Sequence, residues 1–146
     1  MKNQTINVIG FIGLGVMGNS MSKNLLKNKK WSVIVKDLNQ SKEEDLQNHG
    51  AIIASDIKEV FDKSDVIITC LPGGSYVNEM YFGKQDMISV IKPNKYIVDM
   101  STSQPDLMVK LNFFIFPFCF IILFDFSSLP IGTSSFAIFG IFERIL

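Results

Sequence analysis

One histidine, one tryptophan and two cysteines stand in the 146 residues, and 14 basic side chains cancel 14 acidic ones. Each shortage closes off a class of function. With His49 alone, a His-based metal centre has too few ligands. Cys70 and Cys119 lie far apart inside apolar runs, at no spacing typical of a zinc or redox motif, so no metal site is expected. Both are expected to act as small buried apolar groups in a reducing compartment. A balanced charge gives no reason to expect nucleic acid or an acidic surface as partner. The N-terminal MKNQTINVIGF has too short an apolar run for a signal peptide and lacks the Arg- and Ser-rich look of a transit peptide, which points to the cytoplasm. One further absence is local: no charged residue occurs from Thr5 to Ser22.

What fills that uncharged stretch is VIGFIGLGVMGNSMS, an apolar run followed by Gly13, Gly15 and Gly18. The run INVIGFI suits a strand buried on both faces. Met17, Met21 and Leu25 then recur at helical spacing. The pattern continues with strands at WSVIVKD, AIIAS, DVIITCLP and KYIVDMS. Between them lie helices at SKEEDLQNHG, with Ser41 as its expected N-cap and Gly50 as its stop, at DIKEVFDKS, and around 76–81 and 86–91. Ser103 with Asp106 three residues on predicts a capping box for one more helix. Such alternation predicts an α/β protein, a Rossmann-type doubly wound parallel sheet with right-handed crossovers. Ligands of such sheets bind beyond the carboxyl ends of the strands.

The residues at those ends carry the chemistry. Gly13 permits a tight turn, Gly15 lets the backbone approach a pyrophosphate, and Gly18 lets the helix pack close to the first strand. With no cation nearby, the anion would be held by main-chain N–H groups and the helix N-terminus. Asp37, at the end of the second strand, is placed to accept hydrogen bonds from a ribose and to repel the 2′-phosphate of NADP; the expected cofactor is therefore NAD, with NADP second. Leu71-Pro72-Gly73-Gly74 is expected beside the glycine loop. Ser101 and Thr102 are expected to face the crevice near the nicotinamide side. His49 reads as a helix-end residue without a catalytic role.

At Phe11–Leu25 the sequence FIGLGVMGNSMSKNL resembles the signature of the 3-hydroxyisobutyrate (β-hydroxyacid) dehydrogenase family, related to 6-phosphogluconate dehydrogenase. Gly50-Ala51, Cys70-Leu71-Pro72 and VDMSTSQP (Val98–Pro105) match in the same order, so the resemblance covers about residues 6–111. It implies NAD(P)-dependent hydride transfer between a β-hydroxyacid and its semialdehyde. It also implies that Gly13, Leu14, Gly15, Val16, Met17 and Gly18 line the pyrophosphate, that Leu71, Pro72 and Tyr76 contact the cofactor, and that Thr102 lies near the nicotinamide ribose. The family's DAPVSGG substrate motif and the GxxGxGxxxK segment that supplies its catalytic lysine do not occur in these residues, so no catalytic residue is assigned. A hydroxyacid substrate is expected only if that second domain is supplied; the alternative expectation is a non-catalytic nucleotide-binding module or a non-functional truncated product.

Character changes near Asn112. Residues 113–146 hold ten of the thirteen Phe and only three charges, Asp125, Glu143 and Arg144. The expected division is a dinucleotide-binding domain over 1–112 and a hydrophobic tail over 113–146. Pro117 and the shortness of the apolar runs argue against a membrane span. The tail reads best as non-family sequence, of the kind that an intron read through or a shifted frame in an AT-rich gene would encode, with membrane association and native packing onto the sheet as the two alternatives. On that reading residues 1–112 are expected to behave better in solution than the whole chain.

Overall fold

The computed structural model describes residues 6–115 and the backbone of Phe120–Leu123. Six strands form one sheet: β1 (Val8–Ile12), β2 (Ser32–Lys36), β3 (Ile52–Ile53), β4 (Val66–Thr69), β5 (Tyr96–Asp99) and β6 (Phe120–Leu123). Their order is β3-β2-β1-β4-β5-β6 and every pairing is parallel. The helices are α1 (Val16–Lys27), α2 (Gln40–Gln47), α3 (Ile57–Lys63), α4 (Gly74–Phe82), α5 (Met87–Val90) and α6 (Pro105–Ile115). This is the Rossmann arrangement expected from the alternating pattern. The strand order reverses between β1 and β4, which makes that gap the switch point where ligands of such sheets lie.

The central strands are apolar on both sides because both sides are covered. On one face Ile9, Phe11, Val35 and Ile68 pack with Leu46 of α2 and with Met21 and Leu25 of α1. On the other, Ile12, Ile34, Ile67 and Ile97 pack with Val60 and Phe61 of α3, Val77 and Tyr81 of α4, and Leu111 and Ile115 of α6. Alternate residues of one strand thus feed opposite layers. Phe61 and Tyr81 meet edge to face, with ring centroids 6.0 Å apart.

Several local expectations are corrected. Helix α2 begins one residue before Ser41, and its N-cap is Asn39, whose side chain accepts from the Ser41 main-chain N–H at 3.0 Å and from its hydroxyl at 2.7 Å. Both residue types cap well; Asn39 is held in place by its own N–H, which donates to Asp37 Oδ1 at 2.8 Å. Ser103 caps nothing: its hydroxyl is buried without a partner, and Gln104 supplies the carbonyl that starts α6. Met17 does not face the core with Met21 and Leu25, since it is 57% exposed on the first turn of α1. Helix α6 runs across residue 112, where the tail is expected to begin, and buries Ile115 in the core. Beyond it, β6 adds a strand to β5 with Ile97 level with Ile121. The expectations for 124–146 lie outside the described residues. No helix among the described residues is long and apolar enough to cross a membrane.

Candidate functional site

Four loops meet at the carboxyl edge of the sheet, and main-chain bonds clip them together. The Gly13 N–H donates to the Lys36 carbonyl at the end of β2 (3.0 Å), and the Cys70 N–H donates to the Ile12 carbonyl at the end of β1 (2.9 Å). The Met100 N–H donates to the Thr69 carbonyl, joining the ends of β5 and β4 (2.8 Å). The sheet's parallel register therefore delivers the glycine loop, the Asp37 loop, the Leu71–Gly74 loop and the Ser101–Ser103 loop to one rim.

The three glycines have different reasons to be glycine. Gly13 has φ +93, a conformation that side chains rarely adopt, and a Cβ there would overlap the Cys70 carbonyl oxygen. A Cβ on Gly18 would overlap the Gly13 carbonyl oxygen and press on Phe11. Gly15 differs from both. Its backbone is ordinary extended chain (φ −62, ψ −173), and a Cβ built on it meets no heavy atom within 4 Å. The protein itself places no demand for glycine at position 15. What a Cβ would fill is the space in front of the α1 N-terminus, where first-turn N–H groups have no intrahelical acceptor and no side chain caps them. A diphosphate fits that cradle by the chemistry of its donors.

Around this loop the other expected residues take distinct places. Leu14 buries its side chain in the core and gives its N–H to Asp37 Oδ2 at 2.6 Å. Asp37 Oδ1 accepts from the Asn39 N–H at 2.8 Å and lies 3.9 Å from the Lys42 ammonium. Val16 and Met17 are exposed at the mouth, 90% and 57%. Leu71 lies beside Gly13: its Cδ2 would be 3.1 Å from a Cβ built there. Pro72 is exposed next to it. Tyr76 is exposed on the first turn of α4, and Thr102 is exposed with its carbonyl close to Gly73.

Ser101 does not face the crevice. It is buried, and its hydroxyl donates to Asp99 Oδ1 (2.7 Å) while accepting the Leu71 N–H (2.9 Å). Thr69 also donates to Asp99 Oδ1 at 2.6 Å, so this oxygen gathers the β4 and β5 loops into one clasp. Burial pushes the Asp99 carboxyl above the usual carboxylate range, against the pull of the hydrogen bonds from Thr69 and Ser101. The Cys70 thiol is raised as well, by burial first and then by Asp99, with the Gly18 N–H acting the other way. A thiol so placed is a packing group and not a nucleophile.

The second arrangement not foreseen surrounds Asp37. Glu43, on the first turn of α2, is buried; its Oε1 accepts the Asp37 N–H at 2.9 Å and lies 3.1 Å from the Lys36 ammonium. In sequence Glu43 looks like one more charge of a solvated helix; the signal for its role was a lone basic residue, Lys36, ending an otherwise apolar strand. A cavity of about 500 Å³ opens beside these residues, lined by Lys36, Asp37, Gln40, Glu43, Gln47 and Ser55 among others.

A glycine turn opening a helix at a sheet's switch point, with an acid at the end of β2, defines the class: a dinucleotide-binding domain. Residues 8–113 match the sequence profile of the NAD binding domain of 6-phosphogluconate dehydrogenase, and the chain belongs to that family. Among curated proteins, an oxidoreductase of Bacillus subtilis (YkwC) is 42% identical over 103 residues, 70% of this chain and 35% of that protein. Among solved structures, 3-hydroxyisobutyrate dehydrogenase of Mycobacterium tuberculosis with L-serine superposes with a TM-score of 0.71 at 25% identity, covering 82% of this chain and 40% of that one. Psf3 in complex with NADP+ and 2-OPP superposes with a TM-score of 0.70 at 27% identity, over 77% and 40%. The chain spans about a third of the length of the curated relatives it matches, 3-hydroxyisobutyrate dehydrogenases among them.

Proposed function

We propose that this chain is the cofactor-binding part of an NAD-dependent oxidoreductase that moves hydride between a β-hydroxyacid and its semialdehyde. In this reading the main-chain N–H groups of Gly15, Val16 and Met17 take the diphosphate, while Gly13, Leu14 and Gly18 shape the loop that presents them. Asp37 takes the adenosine ribose through its carboxylate, exchanging the Leu14 N–H or sharing with it. Leu71, Pro72 and Tyr76 flank the cofactor from the β4 side, and Thr102 stands at the nicotinamide ribose. The bound dinucleotide supplies the hydride chemistry. In this reading, substrate and proton donor come from a second domain, as the family resemblance implies; the chain spans 35% and 30% of two relatives.

One observation carries the reading: Gly15 is a glycine that the fold does not need, facing a space that a diphosphate needs. The test compares two variants. Gly15→Val should leave the melting temperature nearly unchanged and weaken NADH binding by on the order of tenfold or more in a fluorescence titration. Gly18→Ala should instead lower stability by roughly 1–3 kcal/mol, since the new methyl has only a backbone carbonyl to displace. Unaltered NADH affinity in Gly15→Val would end the assignment. NAD is preferred to NADP on the charge of Asp37; tighter binding of NADPH than of NADH would reverse that preference.

A further inference from the structure

Lys36 and Glu43 form a largely buried ion pair on the site rim. We propose that Glu43 is a specificity-determining residue that turns the site against a 2′-phosphate by holding the Lys36 ammonium away from it; this rests on the dinucleotide reading above. Lys36 is the residue immediately before Asp37, and both line the same cavity at the ribose end of the site. It is 3.1 Å from Glu43 Oε1, and Glu43 is almost fully buried, 5% exposed at its side chain against 23% for Lys36. An ion pair shielded to this degree is weakly screened and does not release its cation cheaply. The same Oε1 accepts the Asp37 N–H, so one carboxylate both ties down the lysine and fixes the backbone of the ribose-binding acid.

The remaining charges point the same way. Glu44 also lines the cavity and takes the Gln40 side-chain amide at 2.9 Å. Lys42, a second cation near the rim among the described residues, lies 3.9 Å from Asp37 and balances that carboxylate. With Lys36 neutralised by Glu43 and Lys42 by Asp37, Glu44 leaves the rim acidic. A phosphate arriving there would meet acids and paired bases. NADPH binding in this class of site needs a free cation at the ribose.

Glu43→Gln separates the two tasks, because a glutamine oxygen still accepts the Asp37 N–H but carries no charge to neutralise the Lys36 ammonium. In the full chain, NADPH and NADH titrated by fluorescence should show NADPH affinity rising about tenfold, the worth of roughly one unit charge at a partly exposed contact. NADH affinity should change little. Raising NaCl from ~50 mM to ~500 mM should erase most of the gain, which a packing defect would not do. Adding Lys36→Gln to Glu43→Gln should abolish it, in a double-mutant cycle. Should Glu43→Gln prove unstable, Lys36→Gln alone must still discriminate against NADPH as the wild type does; a loss of discrimination there would overturn the proposal. An unchanged NADPH-to-NADH ratio in Glu43→Gln, or a gain that survives removal of Lys36, would also overturn it while leaving the site intact. Failure of the wild type to bind either nucleotide would overturn the dinucleotide reading itself and this one with it.

Discussion

Asp99 offers one carboxylate oxygen to three donors and the other, also buried, to none. Burial favours its neutral form, so its folded pKa lies above the unfolded value near 3.9. A group raised in this way stabilises fully below its unfolded pKa, and that stability is lost as pH rises through the folded pKa. Asp99→Asn keeps the acceptor for Thr69 and Ser101 and cannot ionise. Its melting temperature relative to wild type should therefore improve as pH rises above about 4, the unfolded carboxyl's range; a constant difference would refute the argument. Residue by residue, the sequence revealed what depends on backbone space and concealed what depends on partners. Gly13 and Gly18 were legible because only glycine meets their steric demands. Ser101, Ser103 and Asn39 were not, because a hydroxyl or amide at a strand end has several partners within reach and only the packed chain chooses among them. Asp37 was legible as an acid at a strand end, yet its grip on the Leu14 N–H left no trace in composition.

Among the elements, α3 has the most complete N-terminus. Asp56 accepts the Glu59 N–H at 2.7 Å, and Glu59 reaches back to the Ser55 N–H at 2.6 Å. The ion pair to Lys63 and the bonds from Ser55 hold the Glu59 carboxyl down at about 2. A carboxyl lowered in this way contributes above its unfolded pKa, and the contribution fades as pH falls from about 4.3 towards 2. Asp56→Ala should cost about 1 kcal/mol in urea unfolding at neutral pH, the usual worth of such a cap; no measurable loss would mean that Glu59 suffices. The strands were the most legible elements, since runs buried on both faces show as unbroken Val and Ile. Helix α1 was half legible. Its Met21–Leu25 face packs as the period requires, but its first turn belongs to the site, and there exposure at Met17 overrides periodicity.

At the scale of the whole molecule, the last described segments decide how the chain can be cut. Leu111 and Ile115 share the core beneath β4 and β5, and β6 covers the edge of β5. A chain ending at 112 would lose Ile115 and bare a row of unpaired main-chain groups along β5. The sequence, judged by its Phe content, suggested the opposite, that trimming at 112 would help. The expected outcome is now that residues 1–112 melt lower and aggregate sooner than residues 1–123, read by thermal unfolding and light scattering. Equal behaviour would show that β6 adds nothing. The uniform direction of the strands has a practical corollary as well. Helix ends and strand beginnings carry Lys27, Lys29, Lys63, Lys84 and Lys92 along the rim opposite the glycine loop. Amine coupling to a sensor chip would fasten the molecule mainly by that far side, leaving its mouth turned outward to the stream.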